Sequence, residues 1–316
     1  MKKLMVKGCI FLLILVLPLI YLNQRYKNSN YFLQLNGLGK YRSIPQNIEL
    51  LNLGNSHEEA GILYKDNIDI LGYNLALASQ PFEYDYYVLD YYSSYLKDGA
   101  TIIIPISYFD WNYNYEKLFM SDISVYNERY YSILDKEHIM NYELKKDILY
   151  NRFPLLTAGK NMKYIFEDVE WSKNSVNTNI VEDVEKVASW KYESWVNDVM
   201  LLDDENSSKI KKKNIDYLKK TIDYCYEKGY TPVLVSLPVT SNLTDKFSEQ
   251  FKDEFKETTK NILKSYPELK YFDYSTDSKF SNNLSYFSDA DHLNTNGANA
   301  FSKQLFQDLK EAKIIQ

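Results

Sequence analysis

The chain opens on an uninterrupted apolar run, Gly8 to Leu22, set behind Lys2, Lys3 and Lys7. From Asn47 onward the pattern changes, and short apolar runs alternate with longer amphipathic stretches, as in a parallel sheet covered by helices. Ile48 to Leu53 reads as a first strand, Ile70 to Leu77 as a second, and Ala100 to Ile106 as a buried third, because its β-prone residues follow one another without a polar break. Between the last two, Tyr84, Tyr87, Val88, Tyr91 and Tyr95 recur at helical spacing within Pro81 to Lys97, and Gly99 ends that helix. The rhythm returns late in the chain. Ile210 to Lys228 reads as a helix stopped by Gly229, Thr231 to Leu237 as a strand, Thr244 to Tyr266 as a helix, and Lys270 to Asp273 as a short last strand. A closing helix over Asn296 to Ala312 turns Ala298, Phe301, Leu305 and Leu309 inward.

Residues 108–206 break this rhythm and carry all the tryptophans, Trp111, Trp171, Trp190 and Trp195. They read as a helical, aromatic-rich insertion after the third strand. Loops at the carboxyl ends of parallel strands are where α/β proteins bind ligands, so the insertion suits a lid or acceptor groove; equally, it suits a subdomain that packs its own aromatics. The expected plan is an N-terminal membrane segment over residues 1–30 and one α/β domain over 47–316 that contains the insertion.

A basic flank followed by an apolar run is the layout of a membrane-targeting segment. The residues after Leu22, Asn-Gln-Arg-Tyr-Lys, lack the small pair a signal peptidase prefers, which favours an uncleaved anchor over a cleaved signal. Basic residues before the span stay in the cytoplasm, so the remainder is expected outside, membrane-held or, if cleaved, secreted. Cys9 and Cys225 are the only cysteines and lie in unlike settings, so no disulfide framework is expected. A net charge of −6 argues against a nucleic-acid partner, which requires clustered Lys and Arg. No metal or cofactor signature is visible: there is no His-Glu-x-x-His, no Cys/His grouping and no glycine-rich phosphate loop.

Two segments carry candidate chemistry. The first, Leu53-Gly54-Asn55-Ser56-His57-Glu58-Glu59, puts a serine at a strand-to-helix turn, where a helix N-terminus offers free N–H groups to an oxyanion. A plain helix-capping serine is the other reading. The second, Asp289-Ala290-Asp291-His292-Leu293-Asn294, puts a carboxylate three residues before a histidine, so one loop can present both. Serine is a weak nucleophile without an adjacent base. Of the three histidines, His138 has no supporting pattern and reads as a surface residue, and His57 is expected to point away from Ser56. That leaves His292 as base, with Asp291 read as a solvated loop residue.

In this order and separation the two segments resemble the first and last blocks of the SGNH/GDSL hydrolase superfamily, over roughly Asn47 to Gln316. The resemblance implies a three-layer, flavodoxin-like α/β sandwich with Ser56 as nucleophile, His292 as base and Asp289 orienting the histidine. Asn55 stands where the superfamily has Asp. The oxyanion donors it implies fall at the amides of Ser56 and of Ala78 or Ser79. The third-block Gly-x-Asn is not visible, so Ser107, Asn112 or Gln80 would have to supply the side-chain donor. His292-Leu293-Asn294, with Gly297-Ala298 and Phe301-Ser302, looks most like the cell-envelope branch, which includes alginate O-acetyltransferase-like proteins and the D-alanyl transfer protein of teichoic acids. That branch implies an acyl donor, a polysaccharide or teichoic-acid acceptor, and a multi-pass membrane O-acyltransferase as partner. An esterase working in the opposite direction and a non-catalytic partner of such a transferase share these features.

Overall fold

The computed structural model describes residues 2–35, 37–114, 125–169, 183–200 and 204–316. Trp171 and the masked parts of the expected insertion lie outside these residues. The chain divides into two compact units, one of Met1–Ser43 with Ser124–Lys173, the other of Ile44–Ile123 with Asn174–Gln316. The stretch expected as one insertion, 108–206, is thus divided between them.

The larger unit is built on five parallel strands: β1 (Ile48–Asn52), β2 (Gly72–Asn74), β3 (Leu96–Pro105), β4 (Thr231–Ser236) and β5 (Lys270–Asp273), ordered β2-β1-β3-β4-β5. This is the flavodoxin-like order, with its switch point between β1 and β3. Leu51 pairs with Tyr73 and Ile102, Ile103 with Val233, and Val235 with Phe272. Its helices are α2 (Ser56–Gly61), α3 (Phe82–Tyr92), α4 (Val184–Met200), α5 (Asp204–Glu227), α6 (Glu249–Ser265) and α7 (Thr295–Glu311), counted after the N-terminal α1 (Lys2–Lys27). Side chains alternate across a strand. Leu50, Ile103, Val233 and Val235 therefore share one face, where they pack on Phe301, Leu305 and Leu309 of α7. Leu51, Ile102, Ile104 and Leu234 are buried on the other, where α3 and α5 pack together and α5 meets β4. The result is helix, sheet, helix.

Several boundaries differ from the sequence reading: the second strand is confined to Gly72–Asn74, the helix expected from Ile210 begins at Asp204, and two further differences have a visible cause. The helix expected through Lys97 ends at Tyr92, and β3 begins at Leu96, because Leu96 pairs with Ile48 across a register shift in β1. The helix expected from Thr244 is split: a short turn over Ser241–Thr244 is followed by α6, whose N-cap Ser248 accepts from the Phe251 amide at 3.2 Å and starts a new helix.

The smaller unit contains α1 and a run of short helical turns. Within Met5–Lys27 an 18-residue window reaches a mean hydropathy of 2.5, and this stretch is long and apolar enough to cross a membrane. Tyr26 packs on Phe32, and Tyr31 stacks on Tyr164 with centroids 4.2 Å apart. His138, expected on the surface, is half-buried in this unit.

Candidate active site

The turn after β1 is made by two residues. Gly54 has φ of +122°, and a Cβ there would lie 2.4 Å from Glu58 Oε2 and 2.6 Å from Pro105 Cγ, so neither conformation nor space admits a side chain. Its N–H donates to Asp85 Oδ1 at 2.9 Å. Asn55 is the N-cap of α2: its Oδ1 accepts from the His57 amide at 3.1 Å, while its own N–H donates to Glu58 Oε2 at 2.9 Å, closing a capping box. The cap the sequence offered to Ser56 is therefore filled by Asn55. Ser56 is the first helical residue, and its hydroxyl is left for other use.

A second loop brings the partners. Phe287 and Leu293 form an antiparallel bridge, and the Ser288 amide donates to the His292 carbonyl at 2.9 Å. The buried Ala290 carbonyl accepts from the amide and hydroxyl of Thr240 at 3.0 and 2.8 Å, tying the loop to the chain leaving β4. Asn294 caps α7, accepting from the Gly297 amide at 3.0 Å. Helices α2 and α7 are neighbours, so the two loops face each other. His292 Nε2 lies 2.8 Å from Ser56 Oγ, and Nδ1 lies 2.8 Å from Asp289 Oδ2. Asp289 Oδ1 also accepts from the His292 amide at 2.7 Å, which fixes carboxylate and ring together.

Two expectations are corrected here. Asp291 is not solvated: it is 2% exposed. His57 does not point away, because its ring lies 4.8 Å from that of His292, edge to face. One carboxylate explains both. Asp291 Oδ2 is 2.9 Å from His57 Nε2 and 3.1 Å from Lys191 Nζ of α4, and Oδ1 is 3.2 Å from His292 Nδ1. Sequence offered one signal for this, the buried-type neighbours Ala290 and Leu293. Nothing in it linked Lys191, a hundred residues away, to the same carboxylate.

The charges follow from that packing. Burial opposes charging of His292, but the Asp291 charge and the hydrogen bond to Asp289 outweigh it and push the imidazole up to about 10. Burial holds His57 below its ordinary value, against the pull of Asp291. Asp291 is itself held well below the carboxylate range, since the two histidines outweigh its burial. Beneath the turn the sign reverses. Burial raises Glu58 well above the carboxylate range and pushes Asp85 up to about 7.

A cleft of about 130 Å³ opens over Ser56 and His292. Ser79, Phe109, Tyr113, Lys191 and Trp195 are among the residues that line it. Trp111, by contrast, is buried between Phe82 and Phe255, and Trp190 is exposed. Among the described residues, the amides of Ser56 and Ser79 donate to no group. The other expected donors are placed elsewhere. The Ala78 amide donates to Glu59 Oε2 at 2.8 Å, and Ser107, expected as a side-chain donor, is not among the residues that line the cleft. Gln80 binds Asp85 at 2.7 Å and Asn112 binds Glu254 at 3.3 Å, so neither side chain lines the cleft. His57, Asp291 and His292 bring ligand-type atoms within 4.8 Å of one another. Lys191 already gives that carboxylate a cation, and His292 Nδ1 is committed to Asp289.

No family model matches this chain. No curated protein matches it either. Two solved structures align along most of its length. One is a protein from Streptococcus pneumonia provisionally described as a platelet activating factor, 13% identical with a TM-score of 0.40, covering 95% of this chain and 99% of that one. The other, from Bacteroides fragilis NCTC 9343, is provisionally described as an acylhydrolase, 10% identical with a TM-score of 0.39, covering 91% and 98%. Likeness of this degree leaves the reaction to be argued from the site itself.

Proposed function

We propose that the chain is a serine-dependent acyl-transfer protein of the SGNH type, held to the membrane by α1 with its α/β unit extracytoplasmic. One observation carries the reading: the unbroken line from Asp289 through His292 to the Ser56 hydroxyl, each contact 2.8 Å, at the carboxyl edge of a parallel sheet. In this reading His292 removes the Ser56 proton as the hydroxyl attacks an acyl carbonyl, then returns it to the leaving group. Asp289 holds the ring with Nε2 toward serine. The amides of Ser56 and Ser79 face the developing oxyanion, each such donor worth on the order of 3 kcal/mol. A cleft of about 130 Å³ suits a short acyl group such as acetyl.

The acceptor proposed is a hydroxyl of a cell-envelope or exported polysaccharide, with a multi-pass O-acyltransferase supplying the acyl group. Support comes from the resemblance of the last block to the envelope branch and from the aromatic wall, Phe109, Tyr113 and Trp195, which can exclude water and stack on a sugar. Hydrolysis by the same residues is the second reading, favoured by the half-open cleft. Covalent labelling by a fluorophosphonate tests the site: Ser56 is labelled in the parent and not in His292→Ala, and a parent that stays unlabelled refutes the proposal. Acetyl release from a chromogenic ester, measured with and without glycan, then separates transfer from hydrolysis.

A further inference from the structure

The smaller unit has an exposed apolar surface that no chemistry of the Ser56 site uses. Between residues 144 and 166, Leu144, Ile148, Phe153, Leu156, Met162 and Phe166 are exposed, Leu156 by 69% and Phe166 by 76%. A soluble surface rarely gathers large apolar side chains so densely, and such a patch marks a contact with a partner or a membrane. The same stretch holds Lys145, Lys146, Arg152, Lys160 and Lys163 against one acid, Asp147, in a chain whose net charge is −6. Asp147 is buried and taken up by Arg152 at 2.7 Å. Lys146 and Lys163 pair with Glu143 and Glu167, both just outside the stretch, and remain at its surface.

The position of this surface on α1 identifies what covers it. From Met5 to Tyr21 the described helix side chains are exposed, and Met5 to Leu22 spans about 27 Å at 1.5 Å per residue, close to a hydrocarbon core of about 30 Å. The next turn is covered by protein on one face, at Asn23 and Tyr26. Asn23 is buried, donating to the Arg152 carbonyl at 2.8 Å and accepting from the Leu155 amide at 3.2 Å, and Arg25 donates to the Ile165 carbonyl at 3.3 Å. Residues 152–165 therefore dock where the apolar run stops, at the level of the headgroups. Tyr21, Tyr31 and Tyr164 gather at that level, where tyrosine is favoured in membrane proteins.

We propose that residues 144–166 are a second membrane-contacting element, seated in the interface of the leaflet from which α1 emerges and selective for anionic headgroups. Exposed leucine, methionine and phenylalanine enter the acyl boundary by about 5–10 Å, and the basic residues meet the phosphates. The inference rests on α1 as a membrane span and is independent of the chemistry at Ser56.

The test uses the full chain reconstituted in vesicles of phosphatidylcholine, with or without phosphatidylglycerol. In a Cys9→Ser background, with Cys225 buried and unreactive, single cysteines at positions 14, 156, 166 and 264 carry an environment-sensitive fluorophore. Brominated lipid is expected to quench positions 14, 156 and 166, with position 264 on α6 unaffected. Quenching at 156 and 166 should be deeper with phosphatidylglycerol and lost when Lys145, Lys146, Lys160 and Lys163 are changed to Glu. Quenching at 14 with none at 156 and 166 overturns this inference and leaves the anchor intact. No quenching at 14 overturns the anchor itself. Shielding of 156 and 166 only in native membranes assigns the surface to a protein partner and also overturns it.

Discussion

Asp291→Asn is the substitution on which the electrostatic description of the site turns. In the parent, two carboxylates face Nδ1 of His292, Asp289 at 2.8 Å and Asp291 at 3.2 Å. Together they hold the imidazole up to about 10 against its ordinary 6.5, in spite of burial. That difference corresponds to ~5 kcal/mol in favour of the charged ring. A unit charge at the Asp291 distance contributes ~5 kcal/mol at an effective dielectric of about 20, so Asp291 can account for a large part of it before burial is set against it. Asparagine keeps the shape and removes the charge. The free imidazole, which alone can accept the Ser56 proton, should then appear at lower pH by a large part of that difference, each unit giving about tenfold more of it at neutral pH. The rate of fluorophosphonate labelling of Ser56, followed from pH 6 to about 10.5, should rise with pH in both proteins, with the midpoint lower in the variant. Loss of the Asp291 charge should thus accelerate labelling at neutral pH. The same linkage acts on stability. A raised histidine stabilises the fold fully below about 6.5 and loses that contribution as pH rises through about 10, so the melting temperature of the parent should fall over that window more than that of the variant. An unchanged labelling midpoint in a folded variant would refute the reasoning.

Lys191→Met should move the labelling midpoint the other way, upward, because it removes the ammonium that shares Asp291 with the histidines; a downward shift contradicts that. Gly54→Ala should cost at least about 1–3 kcal/mol in urea unfolding, since it combines a positive φ with a Cβ 2.4 Å from Glu58 Oε2. Asp85 has a raised folded value of about 7, so its burial leaves stability intact below about pH 4 and erodes it as pH climbs to about 7. Asp85→Asn, which keeps an oxygen for the Gly54 amide, should flatten that decline in a pH series of unfolding midpoints. Trp195→Ala should leave fluorophosphonate labelling of Ser56 near the parent rate and weaken any effect of a glycan acceptor on ester turnover.

Periodicity carried most of the fold. Thr231 to Leu237 was readable as a strand to within a residue, because a strand buried on both faces is apolar along nearly its whole length; the short edge strand at Lys270–Asp273 was placed by its position after a helix. The second strand shrank to Gly72–Asn74, since local pattern cannot say how many residues of an edge strand find a partner. The start of β3 was missed for a similar reason: Leu96 becomes strand only through pairing with Ile48, a contact absent from its neighbourhood in sequence.

The candidate site divides along the same line. Ser56, Asp289 and His292 were legible because each sits at a turn whose local chemistry, a glycine before a helix or a carboxylate three residues before an imidazole, is written within a few residues. The burial of Asp291, its hold on His57 and Lys191, and the engagement of the Ala78 amide were settled only by folding. Those depend on which chain segments meet in space, and the free energy of burying the Asp291 charge is decided by a partner as far as 234 residues away in sequence. The linear chain thus determined the strands, the apolar helix and the order of its polar turns. Tertiary contact decided the protonation and the free donors at the site, because desolvation and hydrogen bonding act through distance in space and have no period along a sequence.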